Sequence, residues 1–198
     1  MVVARLDSGP HNTGVLELSL SQAERGRAAR LRFDRERRRF IVARARLREL
    51  LAERLDAPPE SIEFVYGREG KPALAERFAR SGWRFNLSHC GELALYAFSL
   101  GRELGIDVEA IGPVDEADAI AERFFAPDER RAFRSLEKEE RNTEFFRLWT
   151  RKEALAKGLG DGLAVPLEEL DATAPPCGWS IESFSPEPGF IGALAVQE

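Results

Sequence analysis

Three carboxylates and a lysine in this chain are spaced so that two facing elements would bring them together. Asp107 and Glu109 lie two apart in Gly105-Ile106-Asp107-Val108-Glu109. An extended strand would present both on one face and turn Ile106 and Val108 to the other. Glu153 and Lys157 lie four apart in Trp149-Thr150-Arg151-Lys152-Glu153-Ala154-Leu155-Ala156-Lys157, so a helix would set them on one side. Packed together, strand and helix would form a cluster of hard oxygen ligands beside a cation, the equipment for holding Mg²⁺ on a diphosphate.

Each piece also has an ordinary reading. Two acids on a strand can simply face solvent, and a Glu-Lys pair at this spacing is commonly an exposed helix salt bridge contributing about 0.3 to 0.5 kcal/mol. The context favours burial, because Trp149 and Leu155 flank Glu153 and Phe145 and Phe146 lie a turn earlier. His89 follows a predicted strand and could be a satisfied core histidine. Next to Ser88 and Gly91 it would sit at a turn whose backbone N–H groups suit anions. A Ser-His hydrolase does not fit, since adjacent strand residues point to opposite faces and the chain has no GxSxG elbow. Lys71, between Gly70 and Pro72, reads as well as an ordinary turn lysine.

The elements that must position these residues follow from periodicity and breakers. Residues 15–20 alternate, with Leu16, Leu18 and Leu20 on one face, and predict a strand. Ser21 with Glu24 predicts a capping box. A long helix from about Asp34 carries Phe40, Ala43, Leu47, Leu50, Leu51 and Leu55 on one side and stops before Pro58 and Pro59. Strands are predicted at 62–66, closed by the turn Gly67-Arg68-Glu69-Gly70, at 85–87 and 93–98 around Gly91, at 106–109, and at 179–184 and 190–196. Helices are predicted at 116–125, 127–135 and 139–157, with Gly158 and Gly160 as stop signals. Each half then runs strand, helices, strand pair, and 93–98 corresponds in place to 190–196. The fold class is α+β with a duplicated element order.

The chain has 198 residues, 43% of them hydrophobic, enough for one large domain or two packed halves. No apolar run is long enough to span a membrane, and residues 1–10 include Asp7 and lack an apolar signal core, so a cytoplasmic protein is expected. Cys90 and Cys177 are the only cysteines and are expected to be free thiols. The net charge of -5 hides an arginine-dense stretch at 25–48 and acidic stretches at 107–129 and 137–144. The basic stretch could bind nucleic acid, an acidic protein or a phosphorylated cofactor, or be a solvated face. Interspersed Asp34, Glu36 and Glu49, with no zinc-finger, basic-zipper or RNP signature, weigh against nucleic acid.

Three further segments join the two acidic ones: Gly70-Lys71-Pro72, Phe85-Asn86-Leu87-Ser88-His89 and Arg123-Phe124-Phe125-Ala126-Pro127-Asp128-Glu129. Any one would be weak; five in one order over residues 71 to 163 resemble the signature motifs of the Sfp-type 4′-phosphopantetheinyl transferases. The resemblance implies two similar α/β halves in pseudo-twofold contact, residues 1–102 and 103–198, with coenzyme A between them. The first half would take the adenosine and 3′-phosphate side, the second the metal and catalytic residues. Mg²⁺ would be held by Asp107, Glu109 and Glu153, with Glu153 also the base. Lys157 would contact the diphosphate, Ser88 and His89 would bind coenzyme A phosphates, and Lys71 and Pro72 would lie at the adenosine end. Candidates for the 3′-phosphate are Arg27, Arg30, Arg39 and Arg44, with Arg27 and Arg39 foremost.

The implied activity is transfer of 4′-phosphopantetheine from coenzyme A to a serine of an apo acyl or peptidyl carrier protein, releasing adenosine 3′,5′-bisphosphate. A monomer is expected, acting on neither nucleic acid nor membrane. The alternative is a non-catalytic coenzyme A or nucleotide-binding module, which would not need the acidic cluster. Two departures stand out. Cys90 takes a place where many relatives have Ser, and Glu24 lies near where relatives often have a base.

Overall fold

The structure is a computed structural model that describes residues 1–7, 13–67, 70–160 and 166–198. Strand β1 (Val2–Arg5) turns Val2 and Ala4 toward the core and Val3 and Arg5 outward. Helix α1 (Thr13–Leu16) runs into a 3₁₀ turn, Glu17–Ser19, and then into α2 (Gln22–Ala29) and α3 (Asp34–Leu55). Strands β2 (Phe64–Tyr66) and β3 (Pro72–Leu74), the short α4 (Glu76–Ala79), and the hairpin β4 (Trp83–Cys90) and β5 (Leu93–Leu100) complete the first half. The second half is β6 (Leu104–Ala110), α5 (Ala117–Phe124), α6 (Pro127–Arg134), α7 (Lys138–Leu159), β7 (Trp179–Phe184) and β8 (Phe190–Gln197).

The helical expectation for 34–55 holds, and Asp56 in the left-handed region (φ 48°) ends α3 just before the prolines. The capping box is formed: Glu24 N donates to Ser21 Oγ at 3.2 Å and Ser21 N to Glu24 Oε2 at 2.9 Å. The strand expected at 15–20 is instead α1 and the 3₁₀ turn. Leu16 and Leu20 face inward, four apart, while Leu18 is 71% exposed. The buried period there is helical, and the alternation is a coincidence of three leucines. The strand that opens the half is β1, paired antiparallel with β5 from Val2↔Tyr96 to Arg5↔Leu93.

Strands β4, β5, β6 and β8 are longer than expected. The β4–β5 loop is only Gly91-Glu92, with Gly91 at φ 58°, so the ladder continues to Cys90↔Leu93. Ser88 and His89 are therefore inside β4, opposite Leu95 and Ala94, and not in a turn after it. The expected anion-binding turn at His89 is corrected accordingly. The strand expected at 62–66 is β2, paired with β3, and of the turn between them Arg68 and Glu69 lie outside the described residues.

The two larger sheets share one plan. The first is ordered β1-β5-β4 and the second β6-β8-β7, so in each the last strand is central, flanked by the opening strand and by its hairpin partner. This matches β5 with β8, as their places in the sequence suggested. Among the described residues no backbone ladder joins the two sheets. Alternate side chains of β4 bind β6 instead. Asn86 Oδ1 accepts from Ile106 N at 2.9 Å, Ser88 Oγ donates to Asp107 Oδ1 at 2.8 Å, and Cys90 Sγ accepts from Ala110 N at 3.4 Å. Beneath this seam Leu93, Leu95 and Ala97 of β5 bury themselves with Leu104, Ile106 and Val108 of β6, giving the halves one continuous core.

Two buried ion pairs brace the helices. Arg48, 1% exposed, reaches Glu24 at 2.7 Å and donates to the carbonyls of Pro59 and Ile62. Glu24 Oε2 thus serves Arg48 as well as the cap of α2. Lys152 meets Glu129 at 2.6 Å with both side chains fully buried. Phe125, from the same motif as Glu129, stacks on Phe145 with ring centroids 5.7 Å apart, so that motif fastens α5 and α6 onto α7. Among the described residues no helix is long and apolar enough to cross a membrane.

Candidate active site

The site begins where β6 and α7 touch backbone to backbone. A Cβ on Gly105 would lie 2.0 Å from the Ala154 carbonyl oxygen and 2.4 Å from Gly158 N, and one on Gly158 would enter the Trp179 ring. Only glycine lets the strand and helix close to this distance. Two residues further along the same face of β6, Asp107 therefore meets α7. Lys157 Nζ lies 2.6 Å from Asp107 Oδ1 and 3.3 Å from Ser88 Oγ, which itself donates to Oδ1. Asp107 is 3% exposed, and its second oxygen, Oδ2, is buried with no hydrogen-bond partner among the described residues.

The other two carboxylates share this field. Burial, then the neighbouring Asp107, pushes the Glu109 carboxyl above its ordinary pKa, while a hydrogen bond with Cys90 and the Lys157 charge act against this. Burial likewise raises Glu153; Lys157 opposes the rise, and Asp107 and Glu109 reinforce it. Among the described residues no three such side chains already close around a metal position. The donor set nevertheless fits a hard divalent cation: three mutually repelling carboxylates, one with an unpartnered buried oxygen, lack a countercharge that Lys157 alone does not supply.

Beside this cluster opens a cleft of about 440 Å³, walled by both halves. Ser88, His89, Glu153 and Lys157 line it, and so do Lys71 and Pro72. His89 is exposed to the cleft; partial burial by the walls, then Lys157, Arg44, Arg39 and Arg27, hold its imidazole below the usual pKa, so it stands neutral among cations. The Lys71 ammonium donates to backbone carbonyls of the second half, the Lys157 oxygen being 2.5 Å away and the Leu104 oxygen 3.3 Å.

The arginines separate. Arg27 and Arg44 line the cleft, Arg27 over the Phe40 ring at 5.4 Å. Arg44 is 7% exposed, and its Nη1 is buried without a hydrogen-bond partner among the described residues. Burial pulls its pKa down. Arg39 is absent from the lining, because its guanidinium is held by Asp7 at 2.6 Å and faces Glu92 at 3.6 Å. Arg30 ends α2, exposed and away from the cleft lining. Asn86 was not singled out from the sequence, yet it is 3% exposed, lines the cleft and fixes β6 through Ile106 N. Its signal was the alternation of polar Asn86 and Ser88 with apolar Phe85 and Leu87.

Comparison with known proteins agrees with this geometry. Residues 103–189 match the profile of the 4′-phosphopantetheinyl transferase superfamily, and residues 11–100 match that of a 4′-phosphopantetheinyl transferase N-terminal region. The 4′-phosphopantetheinyl transferase HetI of Nostoc sp. is 40% identical over 190 residues, 91% of this chain and 80% of that protein. The 4′-phosphopantetheinyl transferase psf-1 of Bacillus pumilus is 35% identical over 153 residues, 77% of this chain and 63% of that one. With each half matched separately, and identity sustained across the seam that builds the cleft, the chain belongs to the 4′-phosphopantetheinyl transferase superfamily.

Proposed function

We propose that the cleft binds coenzyme A and that its phosphopantetheine arm passes to a serine hydroxyl of an apo acyl or peptidyl carrier protein. The observation that carries this reading is the Asp107, Lys157 and Ser88 cluster at the cleft wall, with Asp107 Oδ2 buried and unpartnered. Magnesium held by Asp107, Glu109 and Glu153 would neutralise the diphosphate and the charge developing on its bridging oxygen.

The chain's own groups do the rest. The serine oxygen attacks the phosphorus that bears pantetheine, and the bond from that phosphorus to the bridging oxygen breaks. Adenosine 3′,5′-bisphosphate leaves with that oxygen. Glu153, its pKa raised by burial, takes the serine proton directly or through water. Lys157 holds a diphosphate oxygen and stabilises the departing bisphosphate. The neutral His89 donates a hydrogen bond to phosphate, and its pKa rises once that anion offsets the surrounding cations. Arg27 and Arg44, both lining the cleft, take the 3′-phosphate. Arg39, held by Asp7, is a weaker choice.

Residues 1–102 thus serve the adenosine end, and residues 103–198 the metal and the chemistry. One chain supplies both walls, which supports action as a monomer, and two free thiols suit the cytoplasm. A non-catalytic coenzyme A module is less favoured, because nothing in simple binding needs three carboxylates placed so that Asp107 raises the pKa of Glu109 and both raise that of Glu153.

Intact-protein mass spectrometry of apo carriers incubated with the protein, coenzyme A and Mg²⁺ tests the reading. A gain of one phosphopantetheine unit, lost with chelator or in Asp107→Asn, is expected. Full activity of Asp107→Asn would overturn the assignment. Coenzyme A binding with no transfer to any carrier would favour the binding module.

A further inference from the structure

We propose that Lys71 is a positioning residue that staples the two halves together at the foot of the active site and does not itself bind phosphate. Its ammonium has three donors. One lies 2.5 Å from the carbonyl oxygen of Lys157, another 3.3 Å from that of Leu104, and Glu103 Oε2 stands 3.8 Å away. The side chain lines the cleft and is 20% exposed, and its ammonium bonds to carbonyls of the second half at the seam.

The two carbonyls are not arbitrary. The last carbonyls of a helix have no partner within it. In α7, Gly160 N caps Ala156 O at 3.3 Å, and Lys71 takes the next oxygen, that of Lys157. A cation there also opposes the negative end of the helix dipole. Leu104 and Lys157 each adjoin the glycine at which β6 and α7 touch, Gly105 and Gly158. Lys71 thus reaches from the first half and pins the strand and the helix of the second half at their closest approach. Whatever fixes the Lys157 backbone fixes the reach of its side chain to Asp107, and with it Glu153 one turn back on the same face. The buried setting lowers the Lys71 pKa, and Glu103 opposes this; a group with its donors already committed to protein oxygens tolerates that burial.

The kinetic part of the test rests on the transfer reaction proposed above; the structural part does not. Lys71→Met keeps the stem and removes the ammonium, and Lys71→Arg restores a donor to the carbonyls. For Lys71→Met the expected results are a fall in kcat of about tenfold or more, as for a misplaced catalytic group, with KM for coenzyme A within about twofold of wild type. The preference for coenzyme A over 3′-dephospho-coenzyme A stays unchanged. Hydrogen exchange quickens at the amides of residues 157–160, and Lys71→Arg recovers part of kcat. A raised KM with altered preference between the two coenzymes would make Lys71 a phosphate ligand and overturn the proposal. So would unchanged kcat, or unchanged exchange in an active variant. If the wild type transferred nothing, the reaction would fail while faster exchange in Lys71→Met still upheld the staple.

Discussion

Asp107 divides its work between two oxygens. Oδ1 is occupied by Lys157 and Ser88, which orient the carboxylate, while Oδ2 keeps its lone pairs free in a buried position. An oxygen so placed costs stability unless something arrives to use it. Removing the orienting hydroxyl should loosen the group without removing its charge. Ser88→Ala is expected to cost about 1 kcal/mol of folding stability and to lower kcat/KM, read by chemical denaturation and by transfer kinetics. An unchanged kcat/KM would show that Lys157 orients Asp107 unaided. At this scale the acidic pair on β6 and the Glu153 and Lys157 pair on α7 were legible, since strand and helix periods alone put each pair on one face. Asn86 and the Lys71 ammonium were not, because they bond to backbone groups far away in sequence, Ile106 N and the carbonyls of Leu104 and Lys157. No local spacing encodes such partners.

At the scale of elements, the contact between β6 and α7 sets the site. Gly105→Ala would press a methyl onto the Ala154 carbonyl, so strand and helix must separate. A loss of about 1 to 3 kcal/mol is expected, with activity falling further than stability because Asp107 and Lys157 move apart; a variant with wild-type melting and activity would contradict the geometry. The buried pair Lys152 and Glu129 makes an asymmetric prediction. Glu129 also accepts from the backbone N–H groups of Ala126 and Ala172, each at 2.7 Å, so it keeps partners when Lys152 is removed. Among the described residues Lys152 has only the Leu170 carbonyl besides Glu129. Glu129→Met should therefore cost more than Lys152→Met, toward about 3 to 5 kcal/mol, by chemical denaturation; equal costs would mean the backbone bonds contribute nothing. The long helices could be read from sequence because their apolar stripes repeat over five or six turns. β1 and β3, four and three residues long, are too short to show a period, and three leucines imitated a strand where α1 and its 3₁₀ turn lie.

For the molecule as a whole, the net charge of -5 conceals a basic front. Arg30, Arg32, Arg35 and Arg38 are exposed around Phe33, itself 57% exposed, at the junction of α2 and α3. An acidic carrier would be drawn to this side by long-range attraction. Raising ionic strength should lower kcat/KM for such a carrier while leaving kcat unchanged, and a flat profile would place docking elsewhere. The larger consequence lies in the seam. Because side chains and a shared core, not a ladder, join the sheets, nothing in the joint itself requires one continuous chain. A backbone opened at the exposed Gly101-Arg102 turn would leave two fragments, each holding half of an active centre. Catalysis would then report their association, and its rate at low concentration would follow second-order kinetics in the fragments.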